Sequence, residues 1–444
     1  MIAGAGDPRG WQLNWLSLQR RRLLVTALMF AAVRPACSEE ELGPPTPATP
    51  ATPDWRLIFV GDAGKLGAQD PALSDQIQRD SLAGRTTVVW LGDNVYEAGL
   101  FPDDSALEPC GPKDASQRRL REEGKAALRW QVAASQRASQ VLFIPGNHDW
   151  SGKECGYRRL AAQRQFLQSI KGVADVRFVP DGGCPGPAKI DLPSIRLILY
   201  DSQWLIHPSS QGIEGCAESL GLHPPTGEAE VRQAFLGRLA ELIGSRGDRS
   251  VILAAHHPLR SHGTHGGHSR PYYWLFPGTA YGWWGWLIPL PGAYALRPLV
   301  SHGQDLSSRH YKEMVLDLDR VLQGGGVLAH VAGHEHSLQL LRADSKGIYQ
   351  IVSGSAAKLT PVGKASDTDF RCSTKGYVRL DVLRSPEAEK NPGAPCLRMD
   401  VMAAPSSTGW RPIFSKFLTV DGTSSEAACA GHAQPVAQEA GRCE

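Results

Sequence analysis

The sequence predicts an α/β fold, because short apolar segments of the β type alternate with helical stretches from residue 55 onward. Apolar runs at 55–60, 87–90 and 141–144 each have the length and the β-branched or aromatic content of a buried strand. Polar residues that can bind metals follow each run directly. Ligand sites in open α/β sheets form at the ends of strands, so we expect the functional site at that edge.

Length and composition are those of a globular protein. The chain has 444 residues, of which 42% are apolar and 21% are charged, enough for one large domain or two ordinary ones. Its formal net charge is +2, and the sequence has no basic stripe or charge run. Nucleic-acid binding is therefore not expected, because it needs such a stripe along the phosphate backbone.

The amino terminus is expected to export the chain. Three arginines at 20–22 precede the uncharged run 23–33, a pattern typical of a signal peptide and too short for a membrane-spanning helix. We assign residues 1–37 to this signal, with Cys37 either a lipidation site or close to an ordinary cleavage site; a retained anchor is the third interpretation. Residues 38–54, rich in Pro and Thr, form an extended linker. The expected location is the periplasm, the cell envelope or the medium.

The cysteines are compatible with disulfides. Setting aside Cys37, an even number remains, as is common in exported chains, although the sequence does not give their connectivity. Cys429 and Cys443 flank a polar tail and could pair locally. None has CxxC spacing, so a zinc ion held by cysteines is not expected. The remaining cysteines are Cys110, Cys155, Cys184, Cys216, Cys372, Cys396, Cys429 and Cys443.

Helical stretches separate the apolar runs. The clearest covers 228–243, where Val231, Phe235, Leu239 and Leu242 recur at the spacing of one helix face. We also predict helices at 73–82, at 115–139 (as one or two helices), at 157–170 and at 311–322.

Further strands complete the domain. The run 195–200 ends in Asp201, the run 251–255 is followed by His256, and the run 327–331 leads to a Gly-His-Glu-His motif. We also predict strands at 349–353, 377–382 and 397–401, with 410–420 as an edge strand. The domain then spans 55–420, and a loop-like tail covers 421–444.

Five strand ends carry residues that can bind metals. Counted as ligands, with His148 left out, they supply carboxylates, one phenolate, one amide oxygen and three imidazoles, too many for one tetrahedral zinc ion but suited to two ions that share a bridging carboxylate. A single Asp or His after a strand is more often a turn former or a hydrogen-bonded residue, so the prediction depends on all five. Asp93 is the expected bridge, because it lies mid-order beside Tyr96. The strand ends carry Asp62, Asp93 with Tyr96, Asn147 with His148, His256, and His334 with His336.

These motifs, in this order, resemble the purple acid phosphatases, which belong to the calcineurin-like metallophosphoesterases. The matching motifs are GDAG at 61–64, GDNVY at 92–96, GNHD at 146–149 and GHEH at 333–336. The wider superfamily usually has a His two residues after the first Asp, where this chain has Gly64. That exchange, together with the Tyr in the second motif, is the mark of the purple acid phosphatases.

The resemblance covers about 55–418, and GHEHSLQ at 333–339 is similar to the small, tartrate-resistant branch. It implies a four-layer α/β/β/α sandwich of two mixed sheets flanked by helices, with the metal site at the carboxyl ends of the strands. It also implies a ferric ion beside a divalent zinc, iron or manganese ion. The implied ferric ligands are Asp62, Asp93, Tyr96 and His336, and the implied divalent ligands are Asp93, Asn147, His256 and His334.

Two further histidines have an implied catalytic role. His148 would contact the substrate phosphate, and His265 lies where a second such histidine is expected. Glu335 should point away from the ions, to solvent or to a hydrogen bond. The other loop histidines, His257, His262 and His268, are interpreted as polar loop residues with at most occasional phosphate contact.

The resemblance implies an exported phosphatase that hydrolyses phosphate monoesters by attack of metal-bound hydroxide. A phosphodiesterase or nucleotide hydrolase on the same metals is the alternative within enzymes, since the sequence does not resolve the substrate pocket. A non-catalytic, envelope-tethered binding protein is the alternative of another class. The partner in the first two cases is a phosphate ester.

An aromatic insertion covers 271–309. Its part 271–296 is uncharged and long enough for a membrane span, but eight of its 26 residues are Pro or Gly, which argues against a continuous helix. A packed loop or oligomer contact, a lid over the metal site and a membrane-interface loop are all compatible with it. Cys37 and the loop 271–296 are thus the two candidate membrane tethers.

Overall fold

The computed structural model describes most of the predicted domain. The predicted signal peptide, the tail 421–444 and most of the insertion 271–309 lie outside the described residues, so the predictions for them remain predictions. The structure describes residues 53–418 except 68, 104–107, 152–154, 173–174, 182–183, 208–212, 224–225, 269–302, 384–395 and 405–408.

The described strands form two sheets of seven strands each. They are β1 (Trp55–Val60), β2 (Thr86–Trp90), β3 (Gln140–Phe143), β4 (Asp175–Phe178), β5 (Ala188–Leu192), β6 (Ile195–Leu199), β7 (Ser250–Ala255), β8 (Val327–Ala332), β9 (Leu338–Leu341), β10 (Tyr349–Ser353), β11 (Thr368–Cys372), β12 (Gly376–Leu383), β13 (Cys396–Ala403) and β14 (Arg411–Leu418).

Helices occur at the predicted places and at a few more. The stretch 115–139 forms a single helix that ends at Ala134. Within the described ranges, no helix combines the length and the apolar character that crossing a bilayer requires. The helices are α1 (Pro71–Asp80), α2 (Ala115–Ala134), α3 (Asn147–Trp150), α4 (Gly156–Ser169), α5 (Ser202–Ile206), α6 (Ile213–Ser219), α7 (Glu228–Gly244) and α8 (Arg309–Leu322).

Both sheets are mixed. The first has the order β14-β13-β12-β1-β2-β3-β4, in which β1 to β4 run parallel and β12 to β14 are antiparallel. The second has the order β11-β9-β10-β8-β7-β6-β5, with β6, β7, β8 and β10 parallel. Because parallel strands end at the same edge of a sheet, the turns after β1, β2 and β3 are neighbours, as are those after β7 and β8.

Side chains of the central strands alternate between two cores. In β1, Leu57 and Phe59 pack in the core between the sheets, whereas Ile58 and Val60 pack in the core that includes the helices. All four are fully buried, as expected for strands covered on both faces. The arrangement is therefore helices, sheet, sheet and helices, and the predicted four-layer α/β/β/α sandwich is confirmed.

Four strands were not predicted. Three of them, β4, β5 and β11, are edge strands, where only one neighbour contributes hydrogen bonds. Their sequences are short and interrupted by charged residues, for example Asp-Val-Arg-Phe in β4. The fourth, β9, begins directly after the His334–His336 turn, so no turn residues mark its start. The predicted edge strand at 410–420 is confirmed as β14.

Disulfides are present, as expected. Cys110 is bonded to Cys155, and Cys184 is bonded to Cys216. Cys372 and Cys396 are disulfide-bonded as well, and none of the described cysteines is free. The suggested local pair Cys429–Cys443 lies outside the described residues.

We expect the apolar strands at the centre of the second sheet to dominate stability. Leu253 in β7 is fully buried, so Leu253→Ala should lower the free energy of unfolding by about 2–5 kcal/mol. Leu316 on α8 is 57% exposed, and Leu316→Ala should change the free energy of unfolding by less than about 0.5 kcal/mol. Denaturant unfolding with intact disulfides measures both, and equal effects would contradict this core assignment.

Candidate metal centre

Strand ends from both sheets meet at one point. Asp62, Asp93 and His334 follow β1, β2 and β8, and each has a positive φ, of 61°, 54° and 67°. Non-glycine residues rarely adopt this left-handed conformation, and where they do they often occur at functional sites. All three side chains are buried. The sharp turn at each strand end directs these side chains toward one another instead of along the sheets.

One group of side chains gathers around the Tyr96 hydroxyl. The hydroxyl lies 3.1 Å from Oδ1 of Asp62 and 2.9 Å from Oδ2 of Asp93, and its single hydrogen can be donated to either carboxylate. Nε2 of His336 lies 3.3 Å from the same hydroxyl and 3.4 Å from Oδ1 of Asp62. These four residues are the ones that the resemblance assigns to the ferric ion. The structure thus brings the predicted set together at hydrogen-bonding distances.

A second group gathers around the Asn147 amide oxygen. Oδ1 of Asn147 lies 3.0 Å from Nε2 of His256 and 3.1 Å from Nδ1 of His334. Nε2 of His256 also lies 3.4 Å from Oδ1 of Asp93. These four residues are the ones assigned to the divalent ion. Asp93 belongs to both groups, with Oδ2 toward the first and Oδ1 toward the second.

The donor chemistry of the second group fits a cation. Nδ1 of His256 donates to the Leu91 carbonyl at 2.8 Å, which leaves Nε2 as the atom with a lone pair. Nε2 of His334 donates to the Gln304 carbonyl at 3.1 Å, which leaves Nδ1. Both lone pairs point at the Asn147 amide oxygen, which is itself an acceptor. Three acceptors this close repel one another unless a proton on one imidazole or a metal cation lies between them.

The charges around these groups also favour cations. Burial raises the pKa of Asp93, but His256 and His148 beside it lower it more, to about 2, so the carboxylate is ionised. Burial lowers the pKa of His256, but Asp93 and Asp62 raise it above its usual value. Burial, with both carboxylates nearby, raises the pKa of Tyr96 far above its usual value. A phenolate at Tyr96 therefore requires a cation in place of the proton.

Two glycines make room for this arrangement. Gly92 has φ of 88°, and a Cβ there would lie 2.7 Å from Nδ1 of His256 and 2.8 Å from the Gly146 nitrogen. At Gly64 a Cβ would lie 2.3 Å from the Asn94 carbonyl carbon. A histidine at 64 would thus collide with the loop that carries Tyr96. With glycine at 64, the Tyr96 hydroxyl lies 3.1 Å from Oδ1 of Asp62.

The two histidines with an implied catalytic role lie beside the ligand groups. The backbone N–H of His148 donates to Oδ1 of Asp93 at 2.9 Å, and its ring Nε2 lies 4.0 Å from Oδ2 of Asp93. His265 stacks on His334 with 4.2 Å between ring centroids, and its Nδ1 lies 2.9 Å from Oδ1 of Asp305. Each side chain is 30% exposed, so both imidazoles remain accessible to a substrate.

Supporting carboxylates were only partly anticipated. Asp149 is fully buried and accepts hydrogen bonds from the backbone of Gly146, Asn94 and Val95, which ties the second motif to the third. Burial, with Asp93 nearby, raises its pKa to about 7. The order of the GNHD motif gave no signal for this role, because the partners lie in another loop.

Glu335 points away from the ligand groups, as expected, but it is fully buried and not in solvent. Its carboxylate accepts from Ser261 Oγ at 2.9 Å and from the backbone of His265 and Gly266 at 3.2 and 2.8 Å. This carboxylate therefore fixes the loop that carries His265. Of the two environments expected for Glu335, solvent or a hydrogen bond, the structure shows the hydrogen bond.

Residues 303–306 follow the undescribed part of the insertion. Side chains and backbone of this segment form hydrogen bonds with three histidines. The Gln304 carbonyl accepts from His334, and its side-chain oxygen accepts from His257 Nε2 at 2.7 Å. Asp305 contacts His265. His257 is thereby fully buried and also hydrogen-bonded to Ser202, unlike the polar loop residue that we expected. These contacts were not predicted, because residues 303–306 carry no recognisable motif.

The comparisons with known proteins support the fold. No family model and no curated protein matches the sequence. Among solved structures, PhoD has a TM-score of 0.51 at 11% identity, covering 89% of this chain and 73% of its own. At this identity the likeness shows a shared fold and nothing more.

Two further solved structures have lower TM-scores. The purple acid phosphatase PPD1 from yellow lupin (Lupinus luteus) seeds has a TM-score of 0.45 at 14% identity, covering 84% of this chain and 55% of its own. GAP50, the anchor in the inner membrane complex of Plasmodium, has a TM-score of 0.49 at 12% identity, covering 83% of this chain and 90% of its own. Neither similarity is high enough to support an inference about this chain.

We expect metal removal to destabilise the chain. A cation bound at 100 times its dissociation constant stabilises a folded protein by about 2.7 kcal/mol, so a chelator should lower the thermal midpoint. His256→Ala should reduce this response, because the second group loses a nitrogen ligand. His310→Ala changes a histidine that is 58% exposed and should respond like the wild type. Calorimetry with and without chelator measures this, and equal shifts in all three proteins would contradict the site.

Proposed function

We propose that the chain is an exported phosphatase that hydrolyses phosphate monoesters at a binuclear metal centre. The observation that carries this proposal is the position of the Asp93 carboxylate. One of its oxygens faces Tyr96, and the other lies 3.4 Å from His256. Two complete ligand groups therefore share one carboxylate, which is the arrangement expected for two cations clamped around a phosphoryl group.

The ligand types suggest different ions for the two groups. A phenolate with two carboxylates suits a hard, highly charged ion such as ferric iron, whereas two imidazoles and an amide oxygen suit a zinc, iron or manganese dication. Bound there, the ions would activate water and neutralise the charge of the phosphate group. Every ligand that the resemblance implies is present, which favours an enzyme over a non-catalytic binding protein.

The chain's own residues would orient and protonate the substrate. Nδ1 of His148 donates to the Glu97 carbonyl at 2.7 Å, so its Nε2 faces the side of Asp93. Asp305 holds His265 by Nδ1, and the stacking on His334 fixes the ring plane. A protonated imidazole at either position can stabilise the phosphate oxygens or donate a proton to the leaving alkoxide.

The disulfides support export. Cys110–Cys155 and Cys184–Cys216 require an oxidising compartment, as in the periplasm or outside the cell. This agrees with the signal peptide expected at residues 1–37. Mass spectrometry of the protein from its native host, read for the mature amino terminus and for lipid on Cys37, decides between a tethered and a free form.

Asp93→Asn tests the binuclear proposal. Asparagine tolerates the left-handed backbone at this position, so the fold should survive while the bridging charge is lost. Hydrolysis of an aryl phosphate monoester should fall at least about 100-fold, beyond the usual cost of losing an outer contact to a ligand. Asp181→Asn, at a side chain that is 82% exposed, is the matched control and should keep full activity.

The same assay on aryl phosphate diesters and on nucleotides separates the alternatives. A higher kcat/KM for diesters would replace the monoesterase proposal by a phosphodiesterase on the same residues. Near wild-type turnover in Asp93→Asn would refute a shared bridging carboxylate.

Tyr96→Phe tests the ferric ligand set. A ferric phenolate has a visible charge-transfer band, so the purified wild-type chain should be coloured and Tyr96→Phe should lose the band while keeping bound metal. Tyr157→Phe, a tyrosine outside the ligand groups, is the control and should stay coloured. Absorption spectra with metal analysis measure both, and an iron-containing wild type without the band would show that Tyr96 is not a ferric ligand.

A further inference from the structure

A cluster of charged residues lies at the rim of the candidate metal centre, around Glu97. Nζ of Lys358 lies 3.6 Å from Oε2 of Glu97, and Nζ of Lys65 lies 3.8 Å from Oε1. Nδ1 of His148 is 3.8 Å from Oε2. We call Lys65, Glu97, Lys358 and His148 the rim cluster. Two ammonium groups thus face a single carboxylate, so positive charge is in excess, while Nδ1 of His148 donates to the Glu97 backbone carbonyl at 2.7 Å.

Separate loops bring the rim cluster to the ligand groups. Lys65 follows the turn of Asp62, and Glu97 follows Tyr96 directly. Lys358 lies in the loop after β10, and the backbone N–H of Thr360 in that loop donates to the carbonyl of His336 at 2.9 Å. Nζ of Lys358 also lies 3.6 Å from the centroid of the Tyr96 ring. The cluster is therefore fixed beside the predicted ferric half of the site.

The rim contacts differ from the ion pairs that stabilise the fold. Arg56 binds Asp381 at 2.6 Å, and both side chains are about 90% buried. By contrast, the rim contacts are 3.6–3.8 Å long, and Glu97 is 61% exposed. Loose ion pairs in contact with water contribute little to stability. Stability therefore does not account for the contacts of Glu97, and the Glu97 carboxylate is free to leave.

We propose that Lys65 and Lys358 form a second anion subsite, which the Glu97 carboxylate occupies when no substrate is bound. This inference rests on the proposed phosphate ester hydrolysis and names its substrate class: esters that carry a second anionic group, a carboxylate or a phosphate, near the phosphate that is removed. Binding of the substrate anion displaces Glu97 into solvent, where its carboxylate is rehydrated.

The spacing of the two anions follows from His148. Its Nδ1 faces Glu97 at 3.8 Å, and its Nε2 lies 4.0 Å from the bridging carboxylate of Asp93. The His148 ring and its two contacts therefore span the distance between the subsite and the centre of the ligand groups. A substrate with its two anions on a short spacer, such as one aromatic ring or a three-carbon chain, can reach both.

Two isosteric esters, meta-carboxyphenyl phosphate and meta-carbamoylphenyl phosphate, test the subsite. They differ in one negative charge at the position that the subsite would bind. The measured quantity is R, the ratio of kcat/KM for the acid to that for the amide, in the metal-loaded full chain. The two esters differ in intrinsic reactivity, but this difference is the same for every variant. A general loss of activity lowers both rates equally and therefore cancels in R.

The variants have distinct expected results. Lys358→Met should lower R about tenfold, the lower end for losing a hydrogen bond to a charged group. Lys358→Arg should restore most of R, which a merely structural role of Lys358 would not require. Glu97→Gln should raise R, because the competing carboxylate is gone. Lys171→Met removes an exposed lysine outside the rim and should leave R unchanged. A meta-phosphonophenyl ester shows whether a phosphate-like group binds more tightly than a carboxylate; either order supports the subsite.

The outcomes separate this inference from the proposed function. Unchanged R in both Lys358→Met and Glu97→Gln overturns the subsite while leaving the phosphatase intact. If the wild type hydrolyses neither ester, the proposed function fails, and the matching benzyl phosphonates replace the esters. Their affinities by titration calorimetry give the same acid-to-amide ratio for a chain that binds without turnover. Loss of that ratio in Lys358→Met supports the subsite, and equal ratios overturn it.

Discussion

The Asp93 carboxylate is the constraint on which the candidate site depends. It is 2% exposed, yet its pKa of about 2 keeps it charged. One oxygen accepts from the Tyr96 hydroxyl and the other from the His148 backbone, so its orientation is fixed from two loops. An ionised carboxylate in this environment needs positive partners, because burial of an unpaired charge is costly. The proposed ions would supply that charge.

The packing of the two sheets offsets the strain of this placement. Left-handed backbone at Asp62, Asp93 and His334 costs about 1–3 kcal/mol at each residue. The apolar core between the sheets holds the strand ends in position, and Ser353 links the sheets by donating to the Phe59 carbonyl at 2.7 Å. Outside the ligands, buried acceptors such as Glu335 fix the histidine loops. Rigid strands and hydrogen-bonded loops thus preorganise the site before any ligand arrives.

Charge at the rim distinguishes this chain from a bare metal centre. In the proposed function, the ligand groups alone would accept any accessible phosphate ester, since they would contact only the phosphate. Lys358 and Lys65 lie outside those groups and face Glu97, so they can select among esters by what else the substrate carries. Reactivity and selectivity would then be separate functions of neighbouring loops, joined through His148.

The sequence alone determined the α/β class, the order of the strand ends and the candidate ligand residues, because turn motifs after apolar runs are local features. Tertiary structure decided how they meet: the Tyr96 hydroxyl lies 3.3 Å from His336, a residue 240 positions away. It also decided the burial of His257 and Glu335, the support from Gln304 and the position of Lys358 over Tyr96. Such contacts depend on the packing of two sheets and on side-chain directions at their edges, which local periodicity does not encode.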